Sequence, residues 1–158
     1  MYALKFKPIL KTVVWGGEKI APYKEVVTDQ HNIGESWELS GVKGHESIIA
    51  NGEFEGMTIT ELVEKYKGAL VGEKVYANTG NEFPLLIKFI DAQKDLSIQV
   101  HPDDAYARAH EGQNGKTEMW YVLSAAPDAF LYCGFSRDIS RDELKRRIAD
   151  NTLPEVLR

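Results

Sequence analysis

A chain of 158 residues with 43% hydrophobic and 27% charged residues has the material for one folded domain, and shows no compositional mark of disorder, collagen or coiled coil. Its net charge is −5 and its Lys and Arg residues are scattered, which argues against a nucleic-acid binder. No apolar run reaches the roughly 18 residues of a membrane span, the start MYALKFKPIL lacks the long apolar stretch of a secretion signal, and the single Cys133 forbids an intrachain disulfide, so the cytoplasm is the default compartment.

In chain order, residues 4–15 carry apolar residues, broken by Pro8, that end in Val13, Val14 and Trp15, with a turn expected at Gly16 and Gly17. Residues 35–40 and 45–50 read as short strands joined by a Gly-containing turn, and Asn51-Gly52 signals another tight turn. The period then changes. Thr58 followed by Glu61 forms a capping box, and Ile59, Leu62, Val63 and Tyr66 recur at helical spacing, so a helix is predicted over 58–71, ended by Gly68 or Gly72. Residues 73–82 are polar and loop-like, and FPLLIKFIDA at 83–92 suits a buried strand. Strands are predicted at 96–100, 117–123 and 129–133. A short helix or turn is predicted at 103–111, behind Asp103 and Asp104. Ser140 with Glu143 caps a final helix to Ala149, with another turn at 153–157. Short strands spaced by turns, with a few helices, predict a mainly β sandwich or jelly roll carried by a single domain over 1–158.

The chemistry concentrates between residues 96 and 121. Gln99 and His101 lie two apart on a predicted strand, as do Lys116 and Glu118, and residues two apart share a strand face. If both pairs face one cavity, an amide oxygen, an imidazole and a carboxylate converge there beside an ammonium. Histidine nitrogen and carboxylate oxygen are good donors to zinc and similar divalent ions. Spacing alone leaves plainer readings open: a hydrogen-bonded structural His101, a solvent-facing Glu118, a surface Lys116. Ser97 shares the face of Gln99 and His101 and is a candidate substrate contact. Glu38 and Ser40 are candidates for a cavity wall. Trp15, Trp37 and Trp120 read as core or cavity-wall aromatics, and Cys133 as a small buried residue.

LSIQVHPDD at 96–104 and GKTEMWY at 115–121 resemble the two signature segments of the type I mannose-6-phosphate isomerases. The segments WGG at 15–17, GESWE at 34–38 and FPLLIKFIDA at 83–92 resemble further landmarks of that family, in the same order. The resemblance implies a cupin-type jelly roll that holds one divalent metal, usually zinc. The family's Gln, His and Glu ligands fall on Gln99, His101 and Glu118, and its substrate-side lysine falls on Lys116, the catalytic candidate. The implied reaction interconverts the phosphorylated hexoses mannose 6-phosphate and fructose 6-phosphate. It removes the C2 proton of the aldose and returns a proton to C1 through a cis-enediolate. Either a neutral Lys116 or a metal-associated water can be the base, and the choice stays open here.

A second histidine ligand, in a segment like P-A-G-x-x-H-A, has no counterpart among His31, His45 and His110, and the family's late arginine is missing too. This implies the N-terminal part of a longer polypeptide, with an incomplete jelly roll. Such a chain by itself would be inactive or weakly active, and its open strands would be covered by a C-terminal polypeptide or by self-association into a dimer. The alternative is a non-catalytic sugar-binding or regulatory cupin. A non-heme iron oxygenase fits less well, because Gln99 stands where a facial triad would place histidine.

Overall fold

The computed structural model describes residues 2–158. The chain divides into two compact units, Met1–Leu96 and Ser97–Arg158.

The first unit is built on a three-stranded antiparallel sheet in the order β1-β2-β3, with β1 at Ile9–Gly17, β2 at Ile33–Ser40 and β3 at Leu86–Ile90. Gly16 and Gly17 do not turn the chain, as the sequence suggested, but end β1. Side chains there are excluded by close approach: a Cβ on Gly16 would overlap the Asn32 carbonyl, and one on Gly17 would overlap the Asp91 carboxylate. Gly17 N–H donates to the Asp91 carbonyl at 3.0 Å, which ties the end of β1 to the residue after β3. A short helix α1, Ile20–Tyr23, follows without having been anticipated.

The central strand β2 carries polar groups on both faces. On one, Glu35 accepts from Trp37 Nε1 at 2.6 Å and from Lys88 Nζ at 2.8 Å. On the other, Glu38 pairs with Lys24 and accepts from Ser36 Oγ at 2.6 Å. Ser40 is fully buried, and its N–H donates to Ser47 Oγ at 2.8 Å. Glu38 and Ser40 therefore have structural partners that account for both.

The predicted strand at 45–50 reduces to single bridges, Phe6 to Ile49 and Ile48 to Thr58. Asn51-Gly52 leads into a 3-10 turn, Gly52–Phe54, with Gly52 at φ +71°. Helix α2, Ile59–Tyr66, has the expected capping box. Thr58 accepts from the Glu61 N–H at 3.1 Å, and the Glu61 carboxylate accepts from the Thr58 N–H at 2.7 Å. Its apolar face buries Ile59, Leu62 and Val63. Leu62 joins Ile49 and Phe54 in the core, with Tyr2, Leu4, Phe6, Met57, Tyr66 and Leu70 packed around them. The helix ends at Lys67, one residue before Gly68, and α3, Gly68–Val71, follows. Residues expected to be loop form helix α4, Glu73–Thr79, whose residues are all outside the core. That position explains the missing apolar stripe, since a solvated helix needs none.

In the second unit, helix α5, Asp104–His110, is capped by Asp103, which accepts from the Tyr106 N–H at 2.8 Å. Helix α6, Arg141–Ala149, is capped by Ser140, and a 3-10 turn at Leu153–Val156 follows. Residues 96–100, 117–123 and 129–133, all predicted strands, pair with no other strand. A strand needs a neighbouring strand for its backbone groups, and among the described residues none lies against these stretches. Three strands stand beside six α-helices among the described residues, so the mainly β expectation is not met within this chain. Cys133 is exposed, not buried, because its stretch lacks a sheet to cover it. No helix among the described residues is long and apolar enough to cross a membrane.

Candidate metal centre

Ser97, Gln99, His101, Lys116 and Glu118 all lie in the second unit, on the segments flanking α5. Chain reversal there is fixed locally. Lys116 N–H donates to the Pro102 carbonyl at 3.0 Å, and Gly115 N–H donates to the Asp104 carboxylate at 3.0 Å. Gly115 is needed at this crossing, because a Cβ would overlap the backbone of Asp103. The two bonds draw the residues after Gly115 back alongside those before Asp103. Asp103 and Asp104 thus shape the loop, as a cap and as a tether.

This brings His101, Lys116 and Glu118 together. His101 Nε2 lies 3.3 Å from Glu118 Oε1, and Lys116 Nζ lies 3.2 Å from Glu118 Oε2. Trp120 Nε1 donates to Glu118 Oε1 at 3.2 Å. Gln99 is not drawn into this group. Its Nε2 donates to Ser97 Oγ at 3.0 Å, a bond that uses the amide's donor side and not its carbonyl oxygen. Ser97 is thus seen as a partner of Gln99.

Electrostatics favour an ionised Glu118. Partial burial opposes the charge. The hydrogen bond and charge of Lys116, the Trp120 N–H and the nearby His101 outweigh it, and the carboxyl sits below its ordinary range. His101 Nε2 is buried and makes no hydrogen bond, although Glu118 Oε1 is within ion-pair distance. The separation is short enough for a bond, but the direction is wrong for one. A buried nitrogen without a hydrogen-bond partner is costly, and it is the kind of atom that a cation satisfies.

That orphaned imidazole nitrogen beside an ionised carboxylate fits a divalent metal in donor chemistry. No group of three His, Cys, Asp or Glu side chains converges among the described residues. Among the described residues the two donors that converge are thus His101 and Glu118, and Gln99 stands apart from them. The remaining histidines are engaged elsewhere: His31 with Glu18, His45 with Lys11 and Trp37, and His110 with Tyr106. Trp120 is the residue whose part sequence reasoning missed. The signal was present, since 116, 118 and 120 alternate in step and share a side of an extended chain.

Residues 3–136 match the catalytic domain of type I phosphomannose isomerases, and the chain belongs to that family. It is 38% identical to the mannose-6-phosphate isomerase ManA of Bacillus subtilis, over 98% of this chain and 47% of that protein. The crystal structure of mannose 6-phosphate isomerase from Bacillus subtilis superposes with a TM-score of 0.84 at 33% identity, covering 98% of this chain and 48% of that one. A zinc-bound mannose 6-phosphate isomerase is similar at a TM-score of 0.56 and 26% identity, over 69% of this chain and 28% of that one. The chain thus spans about half the length of the curated relatives it matches first.

Proposed function

We propose that this chain is the N-terminal part of the catalytic domain of a metal-dependent isomerase that interconverts mannose 6-phosphate and fructose 6-phosphate. The observation that carries this reading is the buried, unpartnered His101 Nε2 facing Glu118 Oε1 at 3.3 Å, with Lys116 on the other carboxylate oxygen. The family match spans both compact units, which supports reading 1–158 as part of one catalytic domain. The zinc-bound relative supports zinc as the metal.

In this reading His101 and Glu118 hold the metal, and Gln99 contributes its carbonyl oxygen. A divalent cation bound there would polarise the sugar carbonyl as a Lewis acid. Glu118 fixes Lys116 beside the metal ligands, and the Lys116 ammonium stabilises the negative charge that develops on the sugar oxygens when the C2 proton leaves. Ser97 orients Gln99 through its hydroxyl and stands next in line as a sugar contact.

The stretches 96–100, 117–123 and 129–133 would complete a jelly roll once further strands lie against them. Val100, Met119 and Tyr121 are 93%, 89% and 82% exposed, apolar surface that a strand from a C-terminal polypeptide or a second copy would cover.

The test is a coupled assay for fructose 6-phosphate formation with zinc supplied. A polypeptide of these 158 residues should bind zinc and turn over weakly or not at all. The same residues with a C-terminal half from a family member should be active, and should lose activity on chelation. Activity of the joined protein that survives complete metal removal would refute the metal-dependent reading.

A further inference from the structure

We infer that Trp120 is a positioning residue for the metal ligand Glu118, holding its carboxylate through the indole N–H so that Oε1 stays turned toward His101. The inference rests on the reading of Glu118 as a ligand. Glu118 Oε1 has two neighbours, Trp120 Nε1 at 3.2 Å and His101 Nε2 at 3.3 Å, and only the indole makes a hydrogen bond to it. Oε2 is held by Lys116 Nζ at 3.2 Å. Two donors on separate oxygens fix the rotation of a carboxylate group about its last bond, which one donor cannot do.

The two donors are not equivalent. Lys116 brings a positive charge, which repels an incoming cation. The indole N–H is neutral and donor-only. It fixes the carboxylate without that repulsion, and it occupies one lone pair of Oε1 while leaving the second for a metal. Fixing matters on this segment because Glu118 sits on a stretch with no strand partner, where the backbone alone does little to restrain the side chain. Partners of this kind behind metal ligands typically change affinity by about 10- to 100-fold.

The test is zinc affinity of the 158-residue chain, measured by competition with a chromophoric chelator. Trp120 is replaced by phenylalanine and, separately, by benzothienylalanine, which keeps the indole shape but has sulfur in place of the N–H. Glu118→Ala is measured beside them, and thermal unfolding in chelator reports folding of each. Both Trp120 replacements should weaken zinc binding by about tenfold or more, with unfolding of the benzothienylalanine protein unchanged, since only the hydrogen bond is lost. Wild-type affinity in the benzothienylalanine protein, with binding lost in Glu118→Ala, would overturn the role of Trp120 and leave the metal reading standing. Unchanged zinc binding in Glu118→Ala, or none in the wild type, would remove both.

Discussion

Glu118 is the residue on which the site turns. Its two oxygens meet three different donors or bases: an ammonium, an indole and an imidazole nitrogen. Lys116 is the partner with the least structural reason to be there, since it is 46% exposed and would be well solvated elsewhere. Exposed ion pairs of this sort contribute little to stability, so its value is in chemistry. Replacing Lys116 by methionine in the active, joined protein should lower kcat by about 10²- to 10³-fold, the usual cost of one charge-stabilising donor, while zinc content stays at the wild-type level. Loss of zinc with loss of rate would instead make Lys116 a structural support. Among candidate residues, the convergence of His101, Lys116 and Glu118 was legible from spacing together with the family's signature words. The hydrogen bond of Trp120 was not, because an indole on an alternating segment reads first as a core or cavity-wall aromatic. The pairing of Gln99 with Ser97 was half legible: the shared face was evident, but which atom meets which depends on side-chain torsions that no pattern states.

At the scale of elements, local rules were reliable wherever a cap announced the structure. Thr58 with Glu61, Asp103, and Ser140 with Glu143 each begin a helix as read. They succeed because capping is satisfied within four residues and needs no tertiary partner. Strands at 96–100, 117–123 and 129–133 depend on distant neighbours, and their alternation alone does not pair them. Helix α4 escaped notice for the opposite reason, lying on the surface with no buried residue to leave a stripe. The cap of α2 should be worth about 1 kcal/mol, so Thr58→Ala should lower stability by that amount in urea unfolding. Helix α6 carries a pH dependence. Hydrogen bonds and charges from Arg137 and Arg147 pull the Glu143 carboxyl from 4.5 to about 2. A depressed carboxyl stabilises the folded form above its free value and loses that contribution as pH falls through its folded value. Between about pH 4.5 and 2 the α6 amides should therefore lose protection progressively, read as hydrogen-exchange rates relative to the intrinsic rate at each pH. Glu143→Gln should show the lower protection already at neutral pH. A flat wild-type profile across that range would mean the arginines do not hold the helix.

At the scale of the molecule, the two units differ in how well they bury apolar surface. The first has a core around Ile49, Phe54 and Leu62. Leu62→Ala should cost about 2–5 kcal/mol, because Leu62 is fully buried. The second leaves Val100, Met119, Tyr121 and Phe130 largely exposed. A purified 158-residue chain should therefore self-associate with rising concentration in sedimentation experiments and bind a hydrophobic dye, and supplying the family's C-terminal half should reduce both. The overall likeness to a mannose 6-phosphate isomerase, with a TM-score of 0.84, was foreshadowed by the order of the signature segments. The closing strands were not, since among the described residues no strand pairs with 96–100, 117–123 or 129–133. Metal binding at His101 and Glu118 is the central claim. Equilibrium dialysis of the wild-type chain and of His101→Ala against zinc, with bound metal counted per chain, tests it most directly. The wild type should hold one zinc per chain and His101→Ala should hold none at the same free zinc concentration. Equal zinc in the two proteins would contradict the site proposed here.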